Sequence, residues 1–449
     1  MTSGKTIDIK SFIDERPISA YQWLLVALCF LVVTADGMDV AIMGFVAPSI
    51  IADWHISRPA FGLVMSAAPI GLVIGALAAG PASDRIGRKG VLIASVFFFG
   101  VFTIATAFTN SPASMALLRV LTGIGLGAAM PNTTTLLSEY APQRKRALLI
   151  TIMFTGFNLG SALIGFVAGW LIPTHGWRSV LVFGGGLPLV LIPLQIWLLP
   201  ESARLLAVRG ATPQKVGKVL GRVCGVRFKG DETFVSAEPP LPTKKPIGVL
   251  FSHGFGLLTA ALWVTYFMGL LVIYLLTGWL PTLMKDAGLT VSAAANITAM
   301  FQIGGTIGAI IVGWIMDRVR PAPVISAAYL GGAICVLGLA WIGALSSSLA
   351  VLVFAAGFCM SGAQTGLNAF APGRYPTVAR ATGVSWMLGM GRFGSIFGSA
   401  FGGALLGLGW QFGAILAMLA VPATLAAIAI LVAQRGRTAD AAPQTTAAH

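Results

Sequence analysis

"GPASDRIGRK" occupies residues 80–89, and a shortened copy, "GWIMDRVR", occupies residues 313–320. The two begin 233 residues apart, and each joins two long stretches without a charge. The longest stretch, 321–373, has no Asp, Glu, Lys or Arg in 53 residues. A bilayer core of about 30 Å takes about 20 apolar residues per helix, so this stretch reads as two spans broken at Ser346-Ser347-Ser348. The charged decapeptide is therefore a connector between membrane helices, and its copy marks a repeat.

Composition agrees. The chain of 449 residues is 56% hydrophobic and only 10% charged, with a mean hydropathy of +0.86. Soluble domains carry about 25% charged residues. The pattern predicts an all-α polytopic membrane protein with twelve spans near 20–46, 60–82, 89–109, 113–137, 146–171, 177–199, 250–280, 291–316, 322–344, 349–371, 379–403 and 409–433. Residues 1–20 lack a signal-peptide pattern, which makes the first span an uncleaved one. The formal charge of +14 does not call for nucleic acid. With both termini cytoplasmic, 24 of the 29 Lys and Arg fall in inner segments, as the positive-inside rule requires.

Further matches fall at nearly the same offset. Pro48 corresponds to Pro281, and Gly160 to Gly394. The reading gives a cytoplasmic segment 1–19, a six-helix bundle 20–199, a cytoplasmic loop 200–249, a second bundle 250–433 and a cytoplasmic tail 434–449. Two parallel six-helix repeats are the plan of a secondary transporter in which the halves move about a midplane site. In the connector, Gly80 would let two helices approach closely. Asp84 would meet cations or a helix N-terminus, with Arg85, Arg88 and Lys89 at the headgroups. Together with Asp317 and Arg318 of the copy, and with Glu139 set against Arg144 to Arg146, these residues form candidate gating latches. The alternative is topology anchoring alone.

Cys29, Cys224, Cys335 and Cys359 lie apart without CxxC or Cys/His ligand spacing, so neither a disulfide nor a metal site is expected. No cofactor motif is present. "RVLTGIGLG" (119–127) lies inside a span without a GK[ST] ending, so close helix packing explains its glycines. No GxSxG elbow or metal-binding helix motif supports an enzyme.

The motifs together resemble a known family. "GPASDRIGRK" after span 2 and "LPESAR" (199–204) after span 6 are similar to the major facilitator superfamily. "DGMDVAIMGFVAP" (36–48), "LRVLTGIGLGAAMPNTTTLLSEY" (118–140) and "GVSWMLGMGRFGSIFG" (383–398) resemble its aromatic acid:proton symporters, and within them transporters of 4-hydroxybenzoate and protocatechuate. The likeness runs from residue 11 to about 433. It implies a monomeric carrier in a bacterial inner membrane that imports a small aromatic carboxylate with protons, the proton serving as coupling ion and no cofactor taking part. It also implies that Asp36, Asp39 and Arg119 are functionally required. An exporter or exchanger could be built from the same parts, and a sensory role could be added to transport.

The residues support this chemistry independently. Asp36 and Asp39 are the acids that fall well inside a span, where a charge costs about 2.5–3.5 kcal/mol, which makes them functional candidates. Their i, i+3 spacing puts both on one helix face, and Gly37 between them would permit a local opening of the helix. Two close carboxylates in a poorly solvated site resist double ionisation, as a proton carrier requires. Capping or helix locking is the bland alternative. Arg119 lies about 9 Å into span 4, a depth matching the aspartates, and is their candidate counter-charge. Arg392, about 18 Å deep, has no acidic residue at its level in the second half and suits a substrate carboxylate, the alternative being a pair with Asp36 or Asp39. Asn158 is its repeat partner, and Asn132 adds a second amide that could meet ligand or backbone. For the ring and its hydroxyl, Tyr266 and Phe267 of span 7 and Gln364 and Asn368 of span 10 are the candidates. Trp279 is expected in the interfacial belt.

Overall fold

Among the residues that the computed structural model describes (6–228, 232–235, 250–251, 255–343, 347–375 and 377–435), twelve helices have 19 residues or more. They are α1 (Ala20–Trp54), α2 (Arg58–Ile86), α3 (Arg88–Thr106), α4 (Pro112–Tyr140), α5 (Arg146–His175), α6 (Trp177–Leu198), α7 (Phe255–Asp286), α8 (Val291–Met316), α9 (Pro321–Ile342), α10 (Leu349–Phe370), α11 (Thr377–Gly407) and α12 (Phe412–Arg435). Eleven are long and apolar enough to cross a membrane. The twelfth, α11, is less apolar because Arg392 and a run of Gly and Ser occupy its middle. In hydrocarbon every backbone group must be satisfied within the chain, and the helix does this segment by segment. The same reason carries α1 past the expected end at 46 to Trp54, with Pro48 inside it.

Local sequence sets the ends. Ser111 caps α4 by accepting from the Ser114 amide, with Pro112 in the first turn. Thr290 caps α8 through the Ala293 amide. Gly176 and Gly343, at φ of 76° and 72°, stop α5 and α9 where a side chain would be strained. Ser347 lies in the turn before α10; Ser346 is outside the described residues. Trp341 is 93% exposed and Leu77 75%, an apolar coat suited to lipid.

The chain forms two compact units, Met1–Met43 with Ala67–Pro240, and Gly44–Ser66 with Leu241–His449. The first is held by glycines seated on carbonyls of a crossing helix. A Cβ at Gly71 would strike the Val120 carbonyl, one at Gly75 that of Ile124, and one at Gly123 that of Ala68. In the second unit Gly304, Gly308 and Gly357 meet the carbonyls of Phe354, Phe358 and Phe301 in the same way. The partners on α2 and α8 differ by 233 residues, and those on α4 and α10 by 234. The sequence repeat is thus a repeat of helix crossings, in which small residues let backbones touch. Gly123 and Gly127 show that the glycine-rich stretch of α4 is a packing surface.

A small structure joins the N-terminal segment to the central stretch. Thr6–Asp8 (β1) pairs in parallel with Thr233–Val235 (β2), an addition to the all-helical plan. Short helices Ile9–Asp14, Ala203–Val208 and Pro213–Cys224 surround it. Ile9, Ile13, Val216, Leu220, Val223 and Phe234 join the apolar core of the first unit. The Phe228 ring lies 5.3 Å from Phe12 and 5.0 Å from Phe234.

Three local expectations need correction. Gly37 does not open α1, which is continuous there; the position instead admits the Phe157 carbonyl. Gly80 mediates no close approach, since nothing lies within 4 Å of a Cβ built on it. Trp279 is wholly buried and donates to the Ser399 carbonyl at 2.7 Å, so it is interior packing. Separately, packing of α9 on α10 brings Cys335 and Cys359, 24 residues apart in sequence, thiol to thiol, and both are free.

Candidate functional site

In the first unit, the crossing of α1 and α5 fixes the acidic stretch. A Cβ at Gly160 would overlap the Thr34 carbonyl, and Ser161 Oγ donates to the Gly37 carbonyl at 2.7 Å. With α1 so held, Asp36 and Asp39 are 3% and 1% exposed. Arg119, itself 1% exposed, donates from Nη2 to Asp39 Oδ2 at 2.7 Å and from Nη1 to Oδ1 at 3.1 Å. Nη2 also reaches the Asp39 backbone carbonyl at 3.2 Å, and Thr103 Oγ1 donates to Asp39 Oδ1. A buried charge is tolerable only when paired and hydrogen-bonded, and this carboxylate has both. Depth alone placed Arg119 level with the aspartates; the tertiary structure shows it paired with Asp39. Asn132 Nδ2 donates to Ala128 O of its own helix at 2.8 Å. Asn158 is half-buried on α5.

The latch residues sort differently from the sequence expectation. Glu139 pairs with Arg88 Nε at 2.7 Å, not with Arg144 to Arg146. The end of α4 faces the start of α3, whereas residues 143–145 turn outward as a 3-10 helix with Arg144 and Lys145 exposed. Arg144 donates to the Arg16 carbonyl at 2.9 Å. The α3 N-terminus is held by Glu201 of "LPESAR", whose Oε1 accepts from the Arg88 amide at 2.9 Å and the Lys89 amide at 3.3 Å. A carboxylate at a helix N-terminus satisfies orphan amides and complements the helix dipole. Nothing in the linear motif itself marks Glu201 as the cap of a helix more than 100 residues earlier. Tyr140 completes the joint, donating to Glu201 O and accepting from the Ala203 amide at 2.8 Å. Arg85 is exposed, and the Asp84 side chain lies outside the described residues. Asp317 is the exposed C-cap of α8, and Arg318 stacks over Trp314 at 3.5 Å, so no ion pair joins this motif among the described residues.

In the second unit, the α7/α11 crossing repeats that of α1 and α5: Gly394 sits on the Phe267 carbonyl as Gly160 does on that of Thr34. Gly391, one residue before Arg392, lies against the Tyr266 ring. This brings together Tyr266, Gln364, Asn368 and Arg392. The Tyr266 hydroxyl stands beside the two amide side chains, with the Arg392 guanidinium as the neighbouring charge. Arg392 is half-buried and has no acidic partner among the described residues. Phe267 turns its ring towards Phe397, 6.0 Å between centroids. Tyr329 of α9, absent from the sequence reading, donates to Gln364 Oε1 at 2.8 Å. Nothing in the linear sequence sets Tyr329 apart from other aromatics in spans.

A guanidinium among hydroxyl and amide groups can hold an anion bearing further polar substituents. A buried acid–guanidinium pair can respond to a proton. Neither arrangement contains a nucleophile–base pair for covalent chemistry.

Comparison with known proteins agrees with this picture. The model of the Major Facilitator Superfamily matches residues 29–355 and 262–448. The chain is similar to a gallate transporter of Pseudomonas putida, 59% identical over 95% of this chain and 94% of that one. It is likewise similar to the 4-hydroxybenzoate transporter PcaK of Pseudomonas putida, 49% identical over 96% of each. The fold resembles the inward open conformation of the xylose transporter XylE from E. coli, with a TM-score of 0.72 at 17% identity, covering 93% of this chain and 97% of that one. Twelve long helices, a repeated set of glycine crossings and these matches together make the chain a member of the Major Facilitator Superfamily, a membrane transporter and not an enzyme.

Proposed function

We propose that the protein imports aromatic carboxylates of the 4-hydroxybenzoate and protocatechuate class with protons, by alternating access. The observation that carries this reading is Arg392, a guanidinium without an acidic partner among the described residues, set beside Tyr266, Gln364 and Asn368. Arg392 forms charge-assisted hydrogen bonds to the carboxylate, and the tyrosine and amides meet the ring substituents. Phe267 adds apolar surface. The names of the similar transporters, for gallate and 4-hydroxybenzoate, favour the same substrate class.

Coupling rests on Asp36, Asp39 and Arg119. Protonation of Asp39 removes the charge that holds Arg119, which frees α1 and α4 to shift. A monoanion entering a negative interior is opposed by about 2.3 kcal/mol per 100 mV, and a co-transported proton removes that opposition. The carrier works as a monomer in a bacterial inner membrane with both termini cytoplasmic. The residues around Arg88, Glu139, Asp84 and Arg85, with Arg144, Asp317 and Arg318, act in gating on the cytoplasmic side.

The test is uptake of labelled 4-hydroxybenzoate into proteoliposomes under an imposed pH gradient. Acid-outside accumulation is expected in the wild type and is expected to be lost in Asp39→Asn, Asp36→Asn and Arg392→Lys. Full gradient-driven accumulation by both aspartate variants would remove the proton role. Unchanged affinity in Arg392→Lys would remove the carboxylate role.

A further inference from the structure

The second unit holds a buried amide donor that the fold leaves without a well-formed hydrogen bond. Gln364 is 7% exposed, and its Nε2 stands beside the Tyr266 hydroxyl without completing a hydrogen bond of good geometry to it or to any other described residue. Buried polar groups are nearly always paired, so an orphan amide in a substrate-facing cluster points to an acceptor that arrives with the ligand. Its orientation is fixed. Tyr329 is fully buried and donates its hydroxyl to Gln364 Oε1 at 2.8 Å, which turns Nε2 the other way. Gly269 of α7 makes room for this pair, because a Cβ there would collide with both Gln364 Oε1 and the Tyr329 hydroxyl. Gly269 lies 233 residues after Asp36, so at the repeat position of a carboxylate the second half has a gap filled by the tyrosine–glutamine pair. Asn368, one turn further along α10, exposes a second amide on the same helix face.

We infer that Gln364, oriented by Tyr329, reads a hydroxyl group on the substrate ring and sets the preference for ring-hydroxylated over unsubstituted aromatic carboxylates. This inference rests on the aromatic-carboxylate reading above. Gln364 is a specificity determinant that touches the substrate; Tyr329 is a positioning residue that acts through it. A phenolic oxygen accepts from Nε2 and can donate to a neighbouring group such as Asn368. An acid without that hydroxyl leaves the buried amide unpaired, and sites built to bond a hydroxyl reject analogues lacking it strongly. Arg392, by contrast, serves every member of the class, because all carry the carboxylate.

The experiment measures kcat/KM for labelled 4-hydroxybenzoate and for labelled benzoate in proteoliposomes containing wild type, Gln364→Leu, Gln364→Met or Tyr329→Phe. Correct folding of each variant is checked by its melting temperature. The wild type is expected to favour 4-hydroxybenzoate. Both Gln364 variants are expected to lower the ratio of the two kcat/KM values at least tenfold. Tyr329→Phe is expected to lower it severalfold, chiefly through KM for the hydroxylated acid, since the freed amide can flip. A loss of mere packing would depress both acids alike. Folded Gln364 variants that keep the wild-type ratio would overturn the inference while leaving aromatic-acid transport standing. A wild type that carries neither acid would overturn both.

Discussion

Arg119 grips Asp39 at two points, Nη2 to Oδ2 at 2.7 Å and Nη1 to Oδ1 at 3.1 Å, with both side chains 1% exposed. Removing one partner of such a pair strands a buried charge at a cost of about 3–5 kcal/mol. Arg119→Gln should therefore lower the melting temperature sharply in detergent. The double variant Asp39→Asn/Arg119→Gln, which strands no charge, should lose less than the sum of the single losses. Strict additivity across this cycle would mean that the pair does not couple α1 to α4.

Equivalent damage is expected from equivalent glycines. Gly160→Leu and Gly394→Leu each drive a side chain into a backbone carbonyl, of Thr34 and Phe267 respectively. Neither carbonyl belongs to a flexible side chain that could yield, and overpacking costs about 1–3 kcal/mol or more. Both variants should show reduced thermal stability, whereas Gly80→Ala, with nothing near its Cβ, should not.

The joint of Tyr140 with Glu201 and Ala203 gives a third expectation. Tyr140→Phe keeps the ring and deletes the hydroxyl, leaving the Ala203 amide without this acceptor. A buried group deprived of its partner costs about 1–3 kcal/mol. The variant should be destabilised by that amount in thermal unfolding.

The Arg58–Asp286 contact, 2.8 Å but with side chains 40% and 35% exposed, is a pair of a different kind. Exposed ion pairs are worth about 0–1 kcal/mol. Arg58→Gln should barely move the melting temperature, and the small effect should shrink further at high salt.

Burial pushes the Cys224 thiol up to about 11, against a smaller opposing pull from Arg16. The thiolate is the reactive species, so a raised value keeps Cys224 protonated at neutral pH. In a variant whose only cysteine is Cys224, the maleimide reaction rate should rise about tenfold per pH unit from pH 7 to 10. A plateau near pH 8.5 would show an unperturbed thiol.

Much of the architecture is legible in the residues alone. Uncharged stretches must become helices, because hydrocarbon offers the backbone no other partner, and this sets the number and order of spans. The family likeness follows from motifs that keep their spacing, and the matches to Gly160 and Gly394 already pointed to the repeat. Candidate charges such as Asp36, Asp39, Arg119 and Arg392 are conspicuous because membrane burial of a charge is expensive.

Partner choice is another matter. A helical repeat gives the depth and face of a residue, not the rotation of one helix against its neighbour. Asp39 meets Arg119, Glu139 meets Arg88 rather than the nearby 144–146 cluster, and Trp279 turns inward. Tyr329 acquires its role only when α9 and α10 pack and its hydroxyl finds Gln364. The sequence by itself determined which groups are too costly to be idle. Only the tertiary structure decided which of them satisfy one another, because short-range hydrogen bonds and ion pairs depend on ångström distances between helices remote in sequence.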